Sequence, residues 1–385
     1  MKPKRYNILY LDSGSGIGGG QRSLLLLLKH LDRNRFSPLV GCLENGMLAA
    51  EVRSVGVPII PLNLPEAHDK GHKVRRFTVG DIIGDLRQIS VISQLLQTLR
   101  SHCIDLIHAN SLAGALIGGV AAKLSRVPIV LHKRYATSYG ILDRVGEKLV
   151  NRVILVSEAT RWHFAPQTKQ VLIYNGVEIE GFNVSEEEVE AVREGMNLKR
   201  ADVCVGVVTR ITPEKGIHLL IEAMAKLKNV PKVKLIVVGG PYFLKDTAYV
   251  EKLKSSMKKL GVEGRVIFTG FRSDTRAITA LLDIVLLASI IPEACPRTII
   301  EAMAAGKPVI ATPLGGSKEL VTSETGVLIP PDDASAFADA IASLCEDRSR
   351  LIRMGKAARL RAERFFSVEQ NTRLTEGVYK TLLEN

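Results

Sequence analysis

Glu293 and Glu301 stand eight residues apart in Glu293-Ala-Cys-Pro-Arg-Thr-Ile-Ile-Glu301, on either side of a predicted helix start. Pro296 suits the first helical position, where its missing N–H has no helical partner to lose. The apolar run Asp283-Ile-Val-Leu-Leu-Ala288 before them reads as a strand, and Ala302-Met-Ala-Ala-Gly306 closes the helix. Eight helical residues rise about 12 Å, enough to separate two polar ends of one ligand. Between the carboxylates, the amides of Arg297, Thr298 and Ile299 open toward an anion, and Arg297 adds a cation. Carboxylates for sugar hydroxyls beside amides for phosphate are the groups a nucleotide-sugar requires. Acids also gather at helix starts because the macrodipole favours them there, so the pair alone is a modest signal.

A second group strengthens it. Arg210-Ile-Thr-Pro-Glu-Lys215-Gly216 follows the strand Val203-Cys-Val-Gly-Val-Val208 and precedes the helical run Ile217-His-Leu-Leu-Ile-Glu-Ala-Met. Arg210 and Lys215 therefore share one strand-to-helix loop at the carboxyl end of a strand, where open α/β sheets bind ligands. Either could be a solvated loop cation. With the glutamates downstream, a diphosphate site is the better reading.

In order and spacing, Gly18-Gly-Gly20, Asn175-Gly-Val177, Arg210 with Lys215, and Glu293 with Glu301 span nearly the whole chain. This ordered set resembles the GT-B-fold glycosyltransferases of family 4, which are retaining, nucleotide-sugar-dependent enzymes. The resemblance implies that Glu301 holds the ribose hydroxyls and Glu293 those of the transferred sugar. It also implies that Arg210 and Lys215 meet the leaving diphosphate, with UDP the favoured nucleotide and the leaving phosphate helping to deprotonate the acceptor. The backbone of Gly19 and Gly20 would approach the donor diphosphate and acceptor, which the absent side chains permit. No cofactor or metal is expected, since cations stand where a metal would, and Pro331-Asp332-Asp333 reads as a helix N-cap.

Two places depart from the family pattern. His108 and His132 end the runs Ile104-Asp-Leu-Ile-His and Pro128-Ile-Val-Leu-His, and are expected to face a cleft. His132, followed by Lys133 and Arg134, is a candidate catalytic and acceptor-side group. The family often shows His-x-His at the first place, but here the second histidine is Asn110, which can bond a sugar hydroxyl and cannot shuttle a proton at neutral pH. In the second motif many relatives have Glu-Gly-Phe-Gly, where this chain has Glu293-Ala-Cys-Pro296.

The elements that must position these groups follow from the apolar pattern. β-Branched runs alternate with helical periodicity, the mark of parallel sheets with crossover helices. Strands are expected near 6–11, 37–42, 105–108, 128–131 and 152–156, and then near 203–208, 233–238, 265–268, 283–287, 308–311 and 326–329. A break falls near 175–200, where Ser185-Glu-Glu-Glu-Val-Glu is acidic and weakly periodic. The fold expected is α/β of GT-B type, two doubly wound Rossmann-like domains facing across a cleft. Residues 1–177 would bind the acceptor and 178–365 the donor, with a final helix, about 366–385, packing back on the first domain.

At 385 residues and 46% hydrophobic content the chain has material for two cores. Tyr6-Asn-Ile-Leu-Tyr-Leu-Asp12 is too short for a signal-peptide core, no apolar run is long enough to span a bilayer, and five scattered cysteines suit a reduced, cytoplasmic protein. A net charge of +12 points to an anionic partner. Aromatics are 5% and no nucleic-acid motif appears, so an anionic membrane surface, touched peripherally, or an anionic acceptor fits better. The acceptor is expected to be a saccharide or a lipid-linked one. The densest cationic stretches are Lys70-Gly-His-Lys73-Val-Arg75-Arg76 and the group Lys252, Lys254, Lys258, Lys259. Three rival functions remain open. Gly14-x-Gly16-x-x-Gly19 with Glu44 fits an NAD-dependent oxidoreductase, the same fold serves nucleotide-sugar epimerases, and a silent nucleotide-sugar sensor is the third.

Overall fold

Strands that are apolar at every position must be covered on both faces, and parallel strands with crossover helices achieve this. A computed structural model shows that arrangement twice. It describes residues 4–14, 16–62, 64, 86–227, 229–230, 232–241 and 244–384. The chain divides into two compact units: residues up to Gly176 together with those from Val368 onward, and Val177–Ser367.

Unit 1 holds β1 (Tyr6–Leu11), β2 (Phe36–Cys42), β3 (Ile59–Pro61), β4 (Leu106–Ala109), β5 (Ile129–Lys133), β6 (Arg152–Leu155) and β7 (Gln170–Leu172). They form one parallel sheet in the order β3-β2-β1-β4-β5-β6-β7. Alternation along β1 divides the core. Leu9 and Leu11 join Ile107 and Leu131 on one face, while Ile8 and Tyr10 join Leu106 and Val130 on the other. The last helix, Val368–Leu383, adds Val378 and Tyr379 to the second cluster, packing Tyr379 edge-on against Phe36. Glu376 on that helix accepts from the Asp32 amide at 2.8 Å.

Unit 2 holds β8 (Val203–Val208), β9 (Val233–Val238), β10 (Val266–Gly270), β11 (Ile284–Leu287), β12 (Val309–Ala311) and β13 (Gly326–Leu328) in the parallel order β10-β9-β8-β11-β12-β13. Strand order reverses between β1 and β4 in the first unit and between β8 and β11 in the second, the switch points where such sheets open to ligands.

β3 and β7 escaped the sequence reading, although β12 and β13, equally short at three residues each, did not. The acidic segment is also more ordered than its pattern suggested. Ser185 caps the helix Glu186–Gly195 by accepting from the Glu188 amide, and Glu188 reaches back to the Ser185 amide. Asp333 caps Ala334–Glu346, accepting from the Ala336 amide at 2.8 Å, as its position before an apolar run predicts. Cys42, Cys204 and Cys295 are buried, whereas Cys103 is exposed. Among the described residues no helix is long and apolar enough to cross a membrane. The basic stretch Lys70–Arg76 lies outside the described residues. Lys252, Lys254, Lys258 and Lys259 are exposed on the helix Leu244–Leu260, Lys254 pairing with Glu251 at 2.9 Å.

Candidate active site

In unit 2 the chemistry collects at the carboxyl ends of β8 and β11. The loop after β8 carries Arg210, which is exposed, and turns through Pro213–Lys215 into the helix Ile217–Lys226. Gly216 makes the turn at φ +63°, and a Cβ there would sit 2.0 Å from the Ala288 carbonyl oxygen. This approach lets the Ile290 amide donate to the Glu214 carbonyl at 2.9 Å, tying the loop to the end of β11. Lys215 Nζ consequently lies 3.0 Å from Glu293 Oε2, with both side chains largely buried. Ser289 donates to the other oxygen, Glu293 Oε1. The backbone of Glu293 is gripped as well. Its carbonyl accepts from the Gly316 amide at 2.8 Å, and Gly315, at φ +62°, has no room for a Cβ, which would fall 2.1 Å from that oxygen.

Pro296 is the N-cap residue and Arg297–Ala304 the helix, one residue later than the sequence suggested. Its ψ of 116° is extended, so the proline closes the approach to the helix instead of starting it. The Ile299 amide donates to the Pro296 carbonyl at 3.2 Å, which removes it from the amides expected for phosphate and leaves those of Arg297 and Thr298. The Thr298 hydroxyl donates to the Val208 carbonyl at 2.8 Å, fastening the helix start to the end of β8. Arg297 and Glu301 bond each other, Nε to Oε1 at 3.0 Å, one helical turn apart. The Arg297 guanidinium is thus engaged with the carboxylate expected to serve the ribose.

In unit 1 a polar network crosses the carboxyl ends of β1, β4 and β5. Buried Asp12 accepts from the Gly14 amide at 2.8 Å and Gln21 Nε2 at 3.0 Å, shaping the glycine loop, and from Asn110 Nδ2 at 2.5 Å. Gly19 and Gly20 open the helix Gly19–His30, whose first-turn amides have no intrahelical partner. Arg134 donates to Asn110 Oδ1 at 2.6 Å, Asn175 Oδ1 at 2.7 Å and His132 Nδ1 at 3.1 Å. A guanidinium only donates, so His132 Nδ1 accepts and its proton sits on Nε2.

His108 and His132 do not face outward. Both are fully buried, their rings 5.3 Å apart, and His108 Nδ1 shares a 2.7 Å hydrogen bond with the Tyr379 hydroxyl. Burial, with Arg134 adding positive charge nearby, lowers the His108 pKa to about 3 and that of His132 well below its usual value. Both rings are neutral at physiological pH. His132, expected to touch acceptor, instead orients Arg134.

Known proteins resemble this chain in sequence and fold. Residues 17–180 match Glycosyltransferase Family 4, and residues 189–361 match Glycosyl transferases group 1. The lipopolysaccharide core biosynthesis mannosyltransferase LpsB of Rhizobium meliloti (strain 1021) is 32% identical over 219 residues, covering 55% of this chain and 61% of that protein. A UDP-Gal:alpha-D-GlcNAc-diphosphoundecaprenol alpha-1,3-galactosyltransferase of Escherichia coli is 24% identical over 394 residues, 96% of this chain and 95% of the other. The crystal structure of Anabaena Alr3699/HepE in complex with UDP superposes with a TM-score of 0.85 at 28% identity, covering 97% of this chain and 100% of that one. The chain is a GT-B glycosyltransferase.

The assignment sets aside the oxidoreductase reading of the glycine loop. In this glycosyltransferase Glu44 is exposed in a turn, and the loop is ordered from within by Asp12. Four residues of the two networks escaped the sequence reading as site groups: Ser289, Asp12, Asn175 and Arg134. Ser289 carried a usable signal, a hydroxyl directly after the strand run and four residues before Glu293. Asp12 lay inside the motif already singled out. Arg134 and Asn175 are forty-one residues apart, and only the sheet order brings them together.

Proposed function

We propose that this glycosyltransferase moves a hexose from a UDP-sugar, with retention at the anomeric carbon, to a saccharide or lipid-linked acceptor in cell-surface glycan synthesis. It would work on the cytoplasmic side of a membrane. The observation that carries the reading is Glu293, fixed by Lys215 on one oxygen and Ser289 on the other. A carboxylate so held is an oriented hydrogen-bond acceptor for sugar hydroxyls, with a cation beside it for the diphosphate. UDP is favoured by the UDP in the HepE structure and by the UDP-Gal in the Escherichia coli relative's name.

Unit 2 takes the donor. Glu301 receives the ribose hydroxyls through its second oxygen while Arg297 holds the first. As the bond from the anomeric carbon to the phosphate oxygen breaks, charge grows on the leaving diphosphate. Arg210, Lys215 and the amides of Arg297 and Thr298 stabilise it without reorganising. The acceptor hydroxyl bonds to the anomeric carbon on the face the leaving group vacates, and its proton passes to a phosphate oxygen. Lys215 and Ser289 engage both oxygens of Glu293, which argues against that carboxylate as a nucleophile. Unit 1 takes the acceptor, with Asn110 and Arg134 as polar contacts and Gly19 and Gly20 offering amides to an anion. Arg210 and Lys215 supply positive charge for the diphosphate, so turnover is expected without a metal.

A thermal-shift series with UDP, GDP and ADP in EDTA tests the donor assignment. UDP at a hundred times its dissociation constant is expected to add about 2.7 kcal/mol of stability. Stabilisation by GDP alone, or only when a divalent cation is restored, would overturn the UDP or metal-free part. Retention is read by NMR of the anomeric product, and an inverted product would sink it.

A further inference from the structure

The helix Arg348–Phe365 of unit 2 has seven Arg or Lys among its 18 residues, and Glu363 is its one acid. Leu351, Met354, Gly355, Ala358 and Ala362 form its buried side. Part of the charge is committed inward. Arg361 donates to the Glu319 and Leu320 carbonyls, Arg359 to those of Ala304 and Ile179, and Arg348 pairs with Asp283 at 3.1 Å. Arg353, Lys356 and Arg364 are exposed, and within the described residues no ion pair involves Arg353 or Lys356. Among these cations stand Ile352 and Leu360, 49% and 66% exposed. The steps 352, 353, 356, 360 and 364 keep all five on one helical face. Beside that face runs a groove of about 580 Å³ toward the starts of β11 and β12, walled by Lys307, Lys356, Pro308, Leu351 and Leu360.

Cations without carboxylate partners, interleaved with outward aliphatic side chains, complement a surface that is anionic outside and apolar just beneath. We propose that this face docks onto an anionic phospholipid surface, Ile352 and Leu360 entering the boundary between headgroups and acyl chains and the cations meeting lipid phosphates. An acidic protein surface would also answer the charge, and failure to bind the anionic vesicles would favour it over lipid. The inference does not depend on the donor chemistry proposed above.

The test is co-sedimentation of the full chain with vesicles of equal parts phosphatidylglycerol and phosphatidylcholine, against phosphatidylcholine alone. Binding is expected only with the anionic lipid and is expected to weaken with salt. Each cation near such a surface contributes about fivefold, so R353E with K356E should weaken binding at least about twentyfold. Ile352→Ser with Leu360→Ser should also weaken it, which charge attraction alone would not predict. The charge-matched control K252E with K254E should bind as the wild type does. UDP-induced stabilisation, measured on every variant, confirms folding and keeps failure of the donor site distinct from failure of docking. Equal binding to both vesicles, or wild-type binding by both helix variants, would overturn the proposal. Loss through Lys252 and Lys254, or through Lys70–Arg76, with the helix variants unaffected, would overturn it too.

Discussion

Lys215, Glu293 and Ser289 act as one unit: the ammonium and the hydroxyl each take one oxygen of the carboxylate. Truncating one partner leaves a largely buried charge short of its hydrogen bond, a loss of about 1.5–3 kcal/mol. Lys215→Ala is therefore expected to lower kcat by on the order of ten- to a hundredfold, read from initial rates with donor in excess. Glu301→Gln is expected to act on binding, raising the UDP-sugar Kd measured by calorimetry by a similar factor. Wild-type constants for both would show these carboxylates and cations to be bystanders. Arg134 makes a narrower case. Its Nε and one terminal nitrogen reach Asn110 and Asn175 from separate points of one rigid fork, a spacing that a lysine's compact ammonium does not reproduce. Arg134→Lys should lower stability by about 1–2 kcal/mol in urea titration, and an unchanged midpoint would deny the network its structural role.

The loop between β8 and its following helix gains its shape from one backbone approach. Gly216 occupies the left-handed region and lies against the Ala288 carbonyl, which holds Lys215 opposite Glu293. Gly216→Ala combines strain with a clash against backbone and should cost more than about 2 kcal/mol. The expected result is a lowered melting temperature together with reduced kcat, and an unperturbed melting temperature would contradict the packing described. The glycine loop of unit 1 behaves differently. It is fixed by side chains, Asp12 and Gln21, more than by close approach. That is why a dinucleotide fingerprint could be read there without implying a dinucleotide.

The molecule carries two fully buried neutral histidines, and this couples its stability to pH. In the unfolded chain each titrates near 6.5, whereas in the folded protein burial keeps His108 neutral down to about 3 and His132 to well below 6.5. Above pH 6.5 both states are neutral there and nothing is lost. As pH falls below 6.5 the unfolded chain binds protons that the folded one refuses, so stability declines. His108 is expected to contribute a loss of about 2 kcal/mol between pH 6.5 and 5, and His132 a further loss in the same direction. Melting temperatures across that range test this, and His108→Gln should flatten the slope. A slope unaltered by the substitution would place the titration elsewhere.

The amino-acid pattern by itself determined the class of fold and most of the donor-side groups. Long apolar strands, a glycine at a strand-to-helix turn and an acid on each side of a helix start are local features, each legible within a dozen residues. The helix Val368–Leu383 was visible for the same reason, since its period is carried by its own residues. The edge strands β3 and β7 were not, although the equally short β12 and β13 were, so length alone does not decide legibility. Only the tertiary structure decided which groups meet. It turned His132 from an acceptor contact into a support for Arg134. It also gathered Asp12, Asn110, Arg134 and Asn175 from four separate strand ends. Sequence periodicity reports which side of an element is buried. The partner that buries it depends on strand order, which residues far apart in the chain settle together.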